Sequence, residues 1–371
     1  MAPLSLYISF YTSLAKAIST LIFARLYNPQ SPPYRNLKGQ NAVVTGANSG
    51  IGLSIATALA KQGATVYLAC RNVEKGHAAV ASIVSQLGHE AATRVFCWKV
   101  DVGDLHSVRA FCEKWGEEGR RIDMLVHNAG IPEPPVGTRK TDEKGRDIVL
   151  VTNFLGSFLM TCLLEKYLSE KGRVVLTSST GHYGASGTVM HARPAGVATK
   201  TAGDDGSVAQ GLLGKLKAYL GMDTGTLHSY ALSKAHQVLF AAILQRRFDS
   251  TQDNQRTVHA FTPGFTSTPI FAKFAFGWKT WFTNPTFALL KVTEKYIAVG
   301  TDEGAKTGSW LASCGGERGV EGGGYWEWMS RKTSLIDLVE GELGDEEWSK
   351  ACGRVWRAWE DDSGCTWDVA L

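Results

Sequence analysis

Asn41-Ala42-Val43-Val44-Thr45-Gly46-Ala47-Asn48-Ser49-Gly50-Ile51-Gly52 reads as a strand, a glycine turn and the start of a helix. Ala42-Val43-Val44 is the short apolar run of a strand buried on both faces. Leu53-Ser54-Ile55-Ala56-Thr57-Ala58-Leu59-Ala60 continues as a buried helix. Glycines at 46, 50 and 52 let backbone come close to a phosphate, and the free N–H groups of the helix start face it with the positive end of the dipole behind them. The spacing is Gly-x-x-x-Gly-x-Gly. It is not Gly-x-Gly-x-x-Gly, and a P-loop would need Gly and Lys where Ile51 and Gly52 stand. In a chain with 40 glycines the triplet alone is equally an ordinary turn, so the rest of the chain decides.

Downstream, Ala64-Thr65-Val66-Tyr67-Leu68-Ala69-Cys70 reads as a second strand, and Arg71 follows Gly52 by 19 residues. An acidic residue about there binds a ribose 2′-hydroxyl, whereas an arginine accommodates a 2′-phosphate. Ala69-Cys70-Arg71-Asn72 holds no acid, which favours NADP(H) over NAD(H); the alternative is a surface arginine after a strand. A helix over 73–87 leads to Arg94–Val102, whose strand ends at Asp101, placed to hydrogen-bond an adenine edge beside Val102. A helix over 105–115 precedes Ile122-Asp123-Met124-Leu125-Val126-His127-Asn128-Ala129-Gly130, another strand ending in a polar and glycine turn. Alternating strands and helices predict a doubly wound α/β fold with a parallel sheet, whose ligands bind at the carboxyl ends of the strands. The motifs lie at those ends.

Together these residues resemble the short-chain dehydrogenase/reductase family over roughly residues 36–315. Thr45–Gly52 matches its cofactor motif, with Gly46, Asn48, Ser49, Gly50, Ile51 and Gly52 at the phosphates. His127-Asn128-Ala129-Gly130 matches its Asn-Asn-Ala-Gly motif, with histidine at the first position. Asn153 matches the helix asparagine, and Arg173-Val174-Val175-Leu176-Thr177-Ser178-Ser179 the strand ending at the active serine. Tyr230-Ala231-Leu232-Ser233-Lys234 matches Tyr-x-x-x-Lys, and Pro263-Gly264-Phe265-Thr266-Ser267-Thr268 the Pro-Gly segment near the nicotinamide, with Thr268 at the usual threonine. The wording around Arg71 and Asn153 is most similar to the retinol-dehydrogenase-like branch, which implies a lipophilic substrate. The resemblance also implies that Lys234 binds the nicotinamide ribose and that Asn153 supports a water relay to Lys234.

The chemistry follows from the residue types. Tyr230 and Lys234 are i and i+4 and share a helix face. A nearby ammonium lowers a phenol pKa from about 10 towards the range of a general acid/base. Tyr230 would protonate the substrate oxygen as hydride arrives, and Ser179 would hydrogen-bond that oxygen. Alternation sends Ser178 to the opposite face.

Residues 4–24 carry Leu4, Tyr7, Ile8, Tyr11, Leu14, Ala15, Ile18, Leu21 and Ile22 at helical spacing, with Ser5, Ser9, Thr12, Ser13, Lys16 and Ser19 on the other side. A membrane span would place Lys16 inside at a cost of about 2.5–3.5 kcal/mol if central. A signal peptide would carry its positive charge before the apolar core. An amphipathic helix on a membrane surface, of the endoplasmic reticulum or a lipid droplet, fits best; a helix packed on the protein itself, in a cytoplasmic chain, is the alternative. Residues 1–33 thus form an N-terminal helix and Pro-rich linker, 34–330 the dehydrogenase domain and 331–371 a helical tail. Ser179 and Tyr230 stand 51 residues apart, further than the family pattern, so 184–226 reads as an insertion, either a lid or a surface elaboration. Ile270–Phe282 is an apolar, aromatic segment suited to a substrate wall. Glu294–Ser313 predicts a helix, Gly324–Trp328 the last strand. Trp348, Cys352, Trp356 and Trp359 predict a helix packed on the domain or on a second copy in a homo-oligomer.

A net charge of +4 in 371 residues, without basic blocks, argues against nucleic acid. Seven scattered cysteines predict free thiols in a reducing, intracellular compartment, and no metal is expected. The sequence therefore predicts an NADP(H)-dependent oxidoreductase interconverting a ketone or aldehyde with an alcohol on a lipophilic small molecule (retinoid, steroid, fatty or polyketide-like), reduction favoured. The alternatives are an NAD-linked alcohol dehydrogenase and a non-catalytic NADP(H)-binding sensor or scaffold. A hydrolase is disfavoured because Gly-x-Ser-x-Gly is missing.

Overall fold

The computed structural model describes residues 2–23, 25, 31–134, 137–185, 189–190, 224–251, 254–267, 298–314 and 320–367. Most of the insertion, the 270–282 segment and Thr268 lie outside them.

The buried apolar runs form strands and the amphipathic runs between them form helices. In order these are α1 (Leu4–Phe23), β1 (Asn41–Thr45), α2 (Gly50–Lys61), β2 (Thr65–Cys70), α3 (Val73–Leu87), β3 (Val95–Lys99), α4 (Leu105–Glu118) and β4 (Ile122–His127). Then come α5 (Ile148–Leu150), a π-helical turn (Val151–Leu155), α6 (Gly156–Leu164), β5 (Leu168–Thr177), α7 (Thr224–Ser250) and β6 (Thr257–Thr262). Last are α8 (Thr301–Ser313), β7 (Tyr325–Glu327), β8 (Ser330–Lys332), α9 (Leu335–Leu343) and α10 (Asp345–Ser363). The sheet order is β3-β2-β1-β4-β5-β6-β7-β8. All neighbours are parallel except β7 and β8. One apolar core joins the sheet to α2, α3 and α8, and a second joins its other face to α4, α6, α7 and α10. This is the doubly wound α/β fold expected. Its order reverses between β1 and β4, where such sheets open a ligand crevice.

Three readings need correction. The predicted helix over 294–313 starts only at Thr301, because Ala298–Gly300 is extended and Val299 bridges Thr266. The strand at 325–327 is not the last: Trp328 and Met329, with φ of 51° and 56°, turn the chain into antiparallel β8. Positive φ at both central residues is the geometry of a type I′ hairpin. The thiols are not all free: Cys162 on α6 is bonded to Cys365 beyond α10, leaving five free cysteines. The tail folds back over 203 residues of sequence to make that pair.

The tail tryptophans are buried in the domain. Trp359 meets Phe154 at 4.7 Å between centroids, and Trp356 meets Phe158 at 5.2 Å. Helix α1 packs with Phe10, Ser13, Ala17 and Thr20 inward. Its small polar residues make the joints: the Thr333 N–H donates to Ser13 Oγ at 3.1 Å, and the Thr20 hydroxyl donates to Glu327 Oε1 at 3.0 Å. Leu4, Ile8, Tyr11 and Ile18 face outward and are 48–74% exposed. Among the described residues the helix long and apolar enough to cross a bilayer is Ile148–Tyr167, which is 72% buried in the domain.

Four histidines, His127, His182, His236 and His259, are buried. Burial lowers their pKa values to about 3, 4, 3 and 3. They stay neutral in the fold while unfolded histidines take protons near pH 6.5. The unfolded chain therefore binds more protons below that pH, and stability present above about 6.5 is lost as pH falls towards 4. Each histidine contributes a slope of up to about 1.4 kcal/mol per pH unit. We expect the thermal midpoint to fall on acidification over that window. His236→Leu, which removes a ring stacked on Phe154 with neither nitrogen bonded, should flatten the fall; an unchanged slope would refute the account.

Candidate active site

A cleft of about 390 Å³ opens where β1 and β4 diverge. Its floor begins with Gly46, which has φ +67° and whose Cβ, were there one, would lie 2.9 Å from Ala129 Cα. Gly52 is equally constrained, since a Cβ there would come within 2.6 Å of the Gly46 carbonyl oxygen. Ser49 precedes α2 in extended conformation without a side-chain cap, and the first turn of α2 carries no acid. The N–H groups of that turn are left for an external anion. The residues present thus fit the pyrophosphate of a dinucleotide.

Arg71 and Asp101 stand at the ends of β2 and β3, with Arg71 Nη1 3.7 Å from Asp101 Oδ2. Arg71 is 64% exposed, so this pair is worth little energetically. Lys75, on the first turn of α3, lines the same end of the cleft. Asn128 does not reach into the cleft with its amide; it donates from Nδ2 to the Thr45 carbonyl at 3.1 Å.

At the other end, β5 delivers Ser178 and Ser179 and α7 delivers Tyr230 and Lys234. Ser178 is committed elsewhere: its hydroxyl donates to the Lys234 carbonyl at 2.8 Å and is buried. Ser179 accepts from the Gly181 N–H at 3.0 Å and hydrogen-bonds Tyr230. His182 also fixes this serine. Its Nδ1 lies 2.8 Å from the Ser179 carbonyl, and its Nε2 accepts from the Leu335 N–H at 3.5 Å, which assigns the proton to Nδ1.

Lys234 is buried, with Nζ 5.6 Å from the centre of the Tyr230 ring. Burial lowers its pKa to about 7. Burial also raises the Tyr230 phenol, against the pull of its hydrogen bond to Ser179. The lowering of Tyr230 expected from its spacing to Lys234 is not found: burial sets the direction of its shift. Asn153, in the π-helical turn, is fully buried behind the cleft wall. Its side chain accepts from the Ile131 N–H at 2.7 Å and donates to the Ile131 carbonyl at 2.9 Å and to Ser233 Oγ at 3.0 Å.

Of the residues singled out in sequence, Gly46, Asn48, Ser49, Gly50, Ile51, Arg71, Asp101, Val102, Asn128, Ser179, Tyr230, Lys234, Pro263 and Gly264 line this one cleft. Gly52 and Asn153 support it from behind. Asn72, Lys75, Thr152 and Thr266 also line it and were missed. Lys75 had a signal, a second cation four residues after Arg71 at the start of a helix. The other three carry none.

A family profile described as short chain dehydrogenase matches residues 40–202. Over 149 residues the chain is 42% identical to retinol dehydrogenase 11 of Mus musculus, covering 40% of this chain and 45% of that one. Over 328 residues it is 29% identical to retinol dehydrogenase 13 of Homo sapiens, covering 87% of each. Over residues 40–202 the chain is thus similar to the short-chain dehydrogenase/reductase family. The first of those matches spans under half of its relative's length. The fold recurs in an uncharacterized protein from Mycobacterium Paratuberculosis, with a TM-score of 0.60 at 22% identity over 92% of this chain and 100% of that one. It recurs too in a short chain dehydrogenase from Shigella flexneri 2a str. 301 complexed with NADP, with a TM-score of 0.51 at 20% identity over 80% and 100%.

Gly52→Ala forces the glycine turn to move or α2 to shift. We expect NADPH affinity to drop at least about tenfold, the value of one hydrogen bond to a charged group. Circular dichroism should keep the fold. Unchanged affinity by fluorescence titration would count against the turn as the anion site.

Proposed function

We propose that the protein is an NADP(H)-dependent oxidoreductase that interconverts a ketone or aldehyde with an alcohol on a lipophilic small molecule, with reduction favoured. The observation that carries this reading is the convergence of Ser179, Tyr230 and Lys234 at one end of a cleft whose other end has an open helix N-terminus, Arg71 and Lys75. A bound nicotinamide would supply the hydride. Tyr230 gives its proton to the substrate oxygen, and Ser179 holds that oxygen by a hydrogen bond. Lys234 provides positive charge behind the phenol. Arg71 and Lys75 together suit a 2′-phosphate, and a reduced NADP pool favours carbonyl reduction. The lipophilic substrate is supported by likeness to proteins named retinol dehydrogenases. The Asp101 carboxylate beside Arg71 favours the NAD-linked alcohol dehydrogenase as second reading.

Titration with NADPH and NADH separates the two. We expect NADPH to bind about 10- to 100-fold more tightly, from one or two charge-assisted hydrogen bonds, and Arg71→Ala to erase most of the preference. NADH binding as well as NADPH would move the search to alcohol oxidation. Tyr230→Phe should cost about 10²–10⁴ in turnover on a panel of lipophilic carbonyls while cofactor still binds. Full turnover in that variant would sink the proton-transfer role.

The outward stripe of α1 supports attachment to an anionic membrane surface. Leu4, Ile8, Tyr11 and Ile18 form an apolar row along the outward side of the helix. Lys16, Arg331 and Lys332 line a groove on its flank together with Asp337, and Arg331 is paired to Glu321 and Asp337; a solvent-facing cation is worth about 1 kcal/mol at an anionic bilayer. The protein should float with vesicles of phosphatidylcholine and phosphatidylserine, weakly with phosphatidylcholine alone, and not as the Ile8→Glu, Ile18→Glu double variant. A dimer in solution that the double variant dissolves, with no flotation, would assign the stripe to a second copy instead.

A further inference from the structure

Tyr230, Lys234 and Gln237 lie at i, i+4 and i+7 on α7 and so share a face. Gln237 is fully buried. Its carboxamide makes two bonds that fix its orientation. Nε2 donates to the Asn153 carbonyl at 2.7 Å, and Oε1 accepts from Lys234 Nζ at 3.2 Å. The flipped amide would set N–H against ammonium and oxygen against oxygen. Lys234 Nζ donates its other observed bond to the Thr177 carbonyl at 2.8 Å. The Asn153 carbonyl is held in place in turn, because the Asn153 side chain is clamped to both backbone groups of Ile131 and to Ser233. Ser233 Oγ itself donates to the Tyr230 carbonyl at 2.7 Å.

We infer that Gln237 is a positioning residue for the reaction proposed above: its amide bridges the Asn153 carbonyl to the Lys234 ammonium and fixes that cation behind Tyr230. The bridge stands where the family resemblance puts a water. One side chain joins the two groups directly. Gln237 therefore holds the Lys234 ammonium in place behind Tyr230.

Other groups do not supply this control. Among the described residues the ionisable side chain facing Lys234 is Tyr230, on its own helix. Strand β5 presents it only the Thr177 carbonyl, and the π-helical turn reaches it only through Gln237. His236, next but one along α7, is stacked on Phe154 and neutral. Burial is what lowers Lys234, to about 7, so a neutral oxygen on its ammonium has strong leverage over the charge near physiological pH.

The first test uses the protein without cofactor or substrate. Lysine labelled at the Cε carbon reports each titration by NMR, and Lys234→Arg assigns the signal. Gln237→Leu keeps the volume and removes the acceptor, so Lys234 should titrate about one pH unit or more lower. Gln237→Glu puts a carboxylate there and should move it upward. Opposite shifts in two near-isosteric variants are not produced by general loosening of the helix. An unmoved Lys234 in both, or shifts of the same sign, would overturn the inference. The second test is turnover. Gln237→Leu should lower kcat about tenfold with little change in KM, and its alkaline limb should move down with the Lys234 titration. A kcat that follows the wild-type pH profile would also overturn it. If the wild-type protein bound no dinucleotide and reduced no carbonyl, the oxidoreductase reading would fall, while the NMR titrations would still report on the bridge.

Discussion

The Thr45 hydroxyl accepts from two backbone groups of β4's end, Asn128 N at 2.9 Å and Ala129 N at 3.1 Å. Asn128 answers by donating its amide to the Thr45 carbonyl. This exchange ties the ends of β1 and β4 together at the place where the strand order reverses. The glycine turn depends on it, because Gly46 passes against Ala129 with no room for a side chain. The loop after β4 then runs to Ile131, which both receives and donates the hydrogen bonds of Asn153. A tie at one point of the sheet thus sets the position of the phosphate end and, two links later, of the carbonyl behind Lys234.

From that loop the constraint passes to α7. The helix is held to the β5 end by Ser178, whose hydroxyl is bonded to the Lys234 carbonyl, and to the π-helical turn by Gln237. Tyr230 and Ser179 therefore meet between two elements that are each fixed from behind. His182 adds a third support, joining the Ser179 carbonyl to the N-terminus of α9. Ser334 caps that helix in a reciprocal capping box with Asp337. The C-terminal helices are in this way coupled to the active serine, although none of their residues lines the cleft.

How much of this was legible depends on range. Strands β1, β2, β4 and β5 announce themselves as apolar runs, and each ends in a motif that the fold brings to one crevice. Strand β8 has no such signal: Ser330-Arg331-Lys332 is polar and largely exposed, and its hairpin turn uses Trp328 and Met329 where a sequence reader looks for Asn-Gly. Alternation separates Ser178 from Ser179 and the family resemblance picks the second; the bond from Ser178 to the Lys234 carbonyl is the physical counterpart. Gln237 was out of reach, since its meaning lies in a carbonyl 84 residues away. Helix α1 packs a mixed face inward, Phe10 and Ala17 with Ser13 and Thr20, while Ser5, Ser9, Thr12, Lys16 and Ser19 stay exposed beside the outward apolar row. Moments identify two faces; only a partner with matching donors and acceptors, here Thr333 and Glu327, says which is inside.

The ionisable pair at the centre also shows why spacing alone misleads about charge. Tyr230 and Lys234 stand at the right separation for an ammonium to stabilise a phenolate. Yet both are drawn out of water, and desolvation acts on each against its charged form. The phenol is raised and the ammonium lowered. A phenol that keeps its proton at neutral pH is the form that gives one to a developing alkoxide. A lysine titrating near 7 is the group whose charge a single neutral acceptor can secure. Both shifts oppose charge in the site, and they make the acceptor on Lys234, rather than its distance from Tyr230, the element on which the charge of the site turns.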